Sequence, residues 1–225
     1  MPLNVKNVKD LIEISHMKHE WRKKEKDVYF PKTQAEVINV PPFKFLTLSG
    51  EGNPNSAGFS DYISALYSLS YAIKMNLKKL AVVPDGYVDY TVYPLEGVWG
   101  ISETAKKNFT GVINKDDLVF DLMIRQPSFV SDMFFREMLD FTKKKKPQHL
   151  LNEVEFKEIA EGKCIQMMHI GPYDDEPESF HKMELFAGSQ NLTRKSKVHR
   201  EIYLSDFRKV APEKLKTVLR FQLKV

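Results

Sequence analysis

Two stretches of this chain, residues 43–126 and 163–225, carry the same order of elements. Each reads strand, glycine turn, helix, strand, strand, with a short helix inserted before the last strand of the second. In the first, FKFLTLSGEG alternates like a strand and runs into glycines, and NPNSAG supplies turn chemistry. Phe59, Tyr62, Ile63, Leu66, Leu69, Ile73 and Leu77 then recur at helical spacing, with Ser56 or Ser60 as a possible cap. Residues 87–101 are rich in Tyr, Val and Trp, and LVFDLMIRQ ends at Pro127; both favour strands. The second stretch gives a strand over 163–170, a turn at Gly171-Pro172 and a helix over 176–189. A strand over 198–204, a short helix over 211–218 and a closing strand over 219–225 complete it. Between the repeats lie a helix over 128–146, capped by Ser128 or Ser131, and a strand over 154–160.

Duplicated units pack about a pseudo-two-fold axis and join their sheets over a shared groove, where a ligand would sit. The expected fold is therefore α+β: a duplicated strand–helix–strand–strand module with an antiparallel sheet. It is preceded by an N-terminal helix over residues 1–27 and a linker ending at Pro41-Pro42. The domain reading is 1–40 for helix and linker and 41–225 for the duplicated domain.

Composition removes several classes. Among 225 residues there is one cysteine, so neither an internal disulfide nor a zinc cysteine cluster can form. The charge-free stretch from Tyr62 to Ile73 is 12 residues, and a membrane span needs roughly 20. MPLNVKNVKDLIEISHMKHEW lacks the apolar core of a signal peptide, which makes a reduced cytoplasmic protein the expectation. The net charge of +4 rests on Arg22–Lys26, mixed in sign, and on Lys143–Lys146 at a helix end, where cations suit the dipole. No direct nucleic-acid binding and no membrane partner are expected.

Several motifs do not carry chemistry. GEGNPN has two glycines of a dinucleotide fingerprint, but Asn55 stands where the third should be. His16, His19 and Glu20 lack a third ligand nearby, so no metal site is called. Cys164 and His169, five residues apart on one strand, point to opposite faces and make no dyad. No cofactor is called for.

The carboxylates are more informative. Alternation places Glu96, in YPLEGVWG, with Val92 and Val98, where a carboxylate would be desolvated and its pKa raised. A bulge at Pro94 and Gly97 would instead turn it to water. In HREIYLS, one face of the strand carries His199, Glu201 and Tyr203, the other Arg200, Ile202 and Leu204. Either face can be the buried one. Tyr67 and Tyr71, four apart on one helix, join Tyr93, Trp99 and Tyr173 as aromatics near the groove, and Tyr203 beside Glu201 is a further candidate for ligand binding. Aromatic faces around a carboxylate bind flat, hydrophobic, often cationic ligands.

Together FKFLTLSGEGNPN, FSDYISALYSLSYAIK, YPLEGVWG, HIGPYDDEPESFHKME and HREIYLSDFRKVAPEKLKTVLR resemble the GyrI-like small-molecule-binding family, in its stand-alone bacterial branch. The resemblance covers about residues 28–225. It implies a cleft between two repeats, with Glu201 as the acidic anchor, Trp99 and Tyr173 as pocket aromatics, and Glu96 in a shared motif. It implies binding of hydrophobic or cationic aromatic molecules. Some stand-alone members are similar to hydrolases that open the cyclopropane of DNA-alkylating toxins, and in that reading Glu96 and Glu201 are the catalytic carboxylates. The alternatives are a drug-sequestering or effector-sensing protein, or one that interacts with gyrase. About 40 residues precede the domain, too few for the helix-turn-helix module of the related activators.

Overall fold

Eight strands, all paired antiparallel, form one sheet in the computed structural model, which describes residues 18–224. They are β1 (Glu36–Val40), β2 (Phe43–Glu51), β3 (Leu95–Ile101), β4 (Leu118–Gln126), β5 (Glu155–Ile159), β6 (Gly162–Ile170), β7 (His199–Tyr203) and β8 (Lys216–Gln222). Their order is β1-β6-β8-β7-β3-β4-β2-β5. Helix α1 (Phe59–Leu77) joins β2 to β3, α2 (Asp132–Lys145) follows β4, and α3 (Glu176–Ser189) joins β6 to β7. The duplication is thus visible in the topology. Each module lays its strands in the order first, third, second, and the two meet through their second strands, β3 and β7.

The edge strands are exchanged. β1 leads into the first module but pairs with β6 of the second; β5 leads into the second but pairs with β2 of the first. Only Pro41 and Pro42 separate β1 from β2, although they lie six positions apart in the sheet. A flat sheet would put roughly 29 Å between them at about 4.8 Å per strand. The link reaches only about 11 Å. The sheet must therefore curl, which brings Glu161, in the turn between β5 and β6, over the interior of one face.

Helix α1 buries Ala65, Leu66, Leu69, Ile73 and Leu77 against β2 and β4, and α2 packs on α1. Ser131 caps α2, accepting from the Phe134 amide at 3.1 Å. α1 begins after Gly58 without a side-chain cap. Most of the expected N-terminal helix, residues 1–17 with His16, lies outside the described residues, as does Val225. Residues 21–29 form two single turns broken at Glu25, and Trp21 and Tyr29 are buried in the core.

Three segments depart from the sequence expectation. β1 lies inside the expected linker, because EVINV finds a partner edge in β6. The strand expected from residue 87 begins only at Leu95; before it Tyr90 makes an isolated bridge to His19, and Pro94 has no N–H for a ladder. The short helix over 211–218 is one 3₁₀ turn, Pro212–Lys214, because Thr217 and Val218 pair with Tyr203 and Ile202.

Candidate functional site

The β3–β7 seam is the floor of a cleft walled by α1 and α3, with a volume of about 2460 Å³. Drug-sized ligands occupy sites of roughly 300–1,000 Å³. The cleft can therefore take an elongated, multi-ring molecule.

Strand alternation aims His199, Glu201 and Tyr203 at the cleft and Arg200 and Ile202 away from it. Glu201 Oε2 accepts from the Tyr203 hydroxyl at 2.7 Å, and its Oε1 lies 3.0 Å from His199 Nε2. Tyr203 in turn accepts from the Trp99 indole at 2.8 Å. Burial and the Glu201 carboxylate hold the Tyr203 phenol well above the ordinary range, so it remains a donor.

Gly97, opposite Glu201 in the β3–β7 register, makes this chain possible. A Cβ there would stand 2.6 Å from Trp99 Nε1 and 3.2 Å from the Tyr203 hydroxyl. The indole folds back into that space. Gly97→Ala is therefore expected to break the Trp99–Tyr203 bond and to cost about 1–3 kcal/mol by overpacking. The Trp99 indole N–H resonance should shift and exchange faster with solvent. An unmoved resonance would show that the space is not needed.

Sequence reasoning missed Glu176. It opens α3, is 5% exposed, and lines the same cleft as Glu201. Burial first, and then the Glu201 carboxylate, push it up to about 10. Glu176 is thereby held in its protonated form at neutral pH. Its Oε1 is buried with no hydrogen-bond partner. Tyr173 packs edge-on to Tyr203, with ring centroids 5.9 Å apart, and burial pushes its phenol up to about 12. Phe180 packs on the His199 ring at 4.5 Å, and Phe59 and Phe120 lie 6.0 and 5.2 Å from Trp99. Tyr67 and Tyr71 stack at 6.3 Å on the α1 wall, Tyr67 half-buried and Tyr71 exposed.

Trp99, Tyr173, Glu201, Tyr203, Tyr67 and Tyr71 therefore share one cleft. Glu96 does not join them. It pairs with Ile202 in the register and faces the opposite side of the sheet, where it is 2% exposed. Arg200 Nη1 contacts Glu96 Oε2 at 2.6 Å, and Glu161 bridges Arg200 and Arg220 at 2.9 and 2.8 Å. Burial pushes the Glu96 carboxyl up, with the two arginines opposing. The desolvation read from the sequence is present, but the partner is an arginine and not a ligand. Among the described residues no group of His, Cys, Asp and Glu is arranged to hold a metal ion. No described helix is long and apolar enough to cross a membrane.

A duplicated module whose seam floors an aromatic cleft defines a small-molecule-binding domain. The profile of the GyrI-like small molecule binding domain matches residues 33–224, and the chain belongs to that family. It is similar to an uncharacterized conserved protein from Listeria innocua, at 35% identity and a TM-score of 0.83 over 92% of this chain and 100% of that one. Two structures of hydrolases from Listeria innocua are 34% identical, each over 92% of this chain and 100% of theirs, with TM-scores of 0.81 and 0.82. Among curated proteins no match is found.

Proposed function

We propose that the protein is a cytoplasmic hydrolase that adds water to strained, conjugated electrophiles, with cyclopropane-bearing DNA-alkylating toxins as its substrate class. The observation that carries this reading is the acid–carboxylate pair of Glu176 and Glu201 in an aromatic cleft. Two carboxyls whose environments separate their proton affinities divide into an acid and a base. The similarity to two hydrolases supports the same reaction type.

A planar substrate lies against Trp99 and Tyr173. Glu201 already takes contacts from His199 and Tyr203, and in this reading the Glu176 proton is directed at it as well. A carboxylate has about four acceptor positions, so one remains for a water. Glu201 removes a proton from that water, and the water oxygen bonds to the cyclopropane methylene. The ring C–C bond breaks, and its electron pair passes through the conjugated system to the carbonyl oxygen. Tyr173 steadies that oxygen with its O–H. The oxygen takes the Glu176 proton, and Glu201 passes the water's proton on to Glu176. The pair is then reset, and one water has been added. Tyr203 and Trp99 are positioning residues, since their donors are already engaged.

The test is incubation of a cyclopropane-bearing alkylator with the protein, followed by mass spectrometry. A product heavier by one water, formed faster than in buffer, is expected. Saturable binding with no product would overturn the hydrolase and leave a drug-sequestering protein.

A further inference from the structure

Several cations around the cleft are committed elsewhere. Lys115 pairs with Asp174 at 2.9 Å, Lys197 and Arg194 with Glu184 at 2.8 Å, and Arg208 with Asp206 at 2.9 Å. Among the described residues neither Glu176 nor Glu201 has a Lys or Arg partner. His199 alone stands against Glu201. The other titratable groups facing the pair are Tyr203 from β7 and Tyr173 and Asp174 from the turn before α3; Asp206 adds its charge around Tyr173. A buried carboxyl and a half-buried one on the same cleft floor, with no Lys or Arg against either, do not both ionise freely.

We propose that Glu176 and Glu201 hold one shared proton and use it to sort ligands by charge: neutral planar ligands bind with the proton retained, whereas a cationic aromatic ligand binds by expelling it to solvent. The inference rests on the same cleft floor as the proposed hydrolase, but concerns equilibrium binding and not turnover.

The sign follows from the geometry. A ligand cation within about 4–6 Å favours the ionised carboxyl and lowers its pKa by about 1–3. Starting from a Glu176 pushed up to about 10, release falls between about pH 7 and 9. There the free cleft keeps its proton and the cation complex has lost it. Cation affinity must therefore rise with pH, by up to about tenfold per pH unit. A neutral ligand shows no such slope.

The experiment is calorimetric titration of the full chain with ethidium, a permanent planar cation, and with phenanthridine, its neutral core. Both are measured between about pH 7 and 9 in two buffers of different ionisation enthalpy. Ethidium is expected to release up to one proton and to bind severalfold more tightly per pH unit; phenanthridine should release none and stay flat. Glu176→Gln should bind both dyes while abolishing the release and the slope. Should that variant not fold, the wild type still reports. Its infrared carboxylic-acid band, assigned by ¹³C-glutamate, should fade on saturation with ethidium and persist with phenanthridine. Ethidium binding without proton release, failure of both dyes to bind, or a band unchanged by ethidium would each overturn the proposal. None of these outcomes bears on whether an electrophile is turned over.

Discussion

Glu201→Gln is expected to slow hydration of a cyclopropane-bearing electrophile by about 10²–10⁴-fold, the scale of a lost general base. Affinity for the substrate should change only a few-fold. Glutamine has nearly the shape of glutamate and can still accept from Tyr203, so the chain from Trp99 through Tyr203 stays in place. What it cannot do is take a proton from water. The pH profile gives a second, independent reading. In the wild type the rate requires an ionised Glu201 and a protonated Glu176. Glu176, pushed up to about 10, gives up its proton only in alkali, so the rate falls as pH climbs toward that value. Glu176→Gln keeps a donor to Glu201 but has no proton to transfer, and its residual rate should lack that alkaline fall. Glu96→Gln, on the far face of the sheet, should leave turnover per folded molecule unchanged. A Glu201→Gln enzyme as fast as wild type would end the general-base assignment.

How far this site can be seen in the sequence depends on which contacts are local. The 2-residue period of HREIYLS is local, and it put His199, Glu201 and Tyr203 on one face. It could not say which face lines the cleft, because both faces are covered: Arg200 and Ile202 are buried on the far side, and Glu201 and Tyr203 are half-buried in the cleft. The helical spacing of residues 59–77 is equally local, and α1 matches it with Tyr67 and Tyr71 on the cleft wall. Alternation left two readings of Glu96, desolvated or turned to water, and the structure has it buried among charged partners. Its partner Arg200 lies 104 residues away and meets it only through the β3–β7 register. Glu176 was overlooked for the opposite reason. An acid in the first turn of a helix is ordinary dipole chemistry, so its position has an adequate local explanation. Only the packing of α3 on β6 brings it to the cleft that Glu201 lines. β1 was hidden because Pro41-Pro42 ended the reading of a strand whose partner belongs to the other module.

Arg200→Ala is expected to cost about 3–5 kcal/mol, the scale for breaking a buried ion pair. For a chain of this size that lowers Tm by about 6–20 °C. Arg200 sits over the Phe45 ring at 5.2 Å, holds Glu96 at 2.6 Å and holds Glu161 at 2.9 Å. Glu161 keeps Arg220 when Arg200 is lost, whereas Glu96 is left with no strong partner, the Tyr29 hydroxyl lying 3.5 Å away. The penalty therefore falls mainly on Glu96, and its pH dependence has a definite sign. Burial already raises the Glu96 carboxyl, and removing Arg200 raises it further. A carboxyl raised in the folded state contributes stability that is present below its unfolded value, about 4.5, and lost as pH rises toward the folded value. Arg200→Ala should thus be mildest in acid and worsen toward neutral pH. Thermal melts across that range check it, and a variant as stable as wild type at neutral pH would sink it. Arg200→Met combined with Glu96→Leu should recover much of the loss, because an apolar pair removes the stranded charge. The network also reaches the cleft through the backbone. Arg200 and Glu201 are neighbours on β7, and the Arg200–Glu96 pair pins β7 to β3 in the register that sets Gly97 opposite Glu201. The far face thereby fixes where the cleft carboxylate stands without touching the ligand.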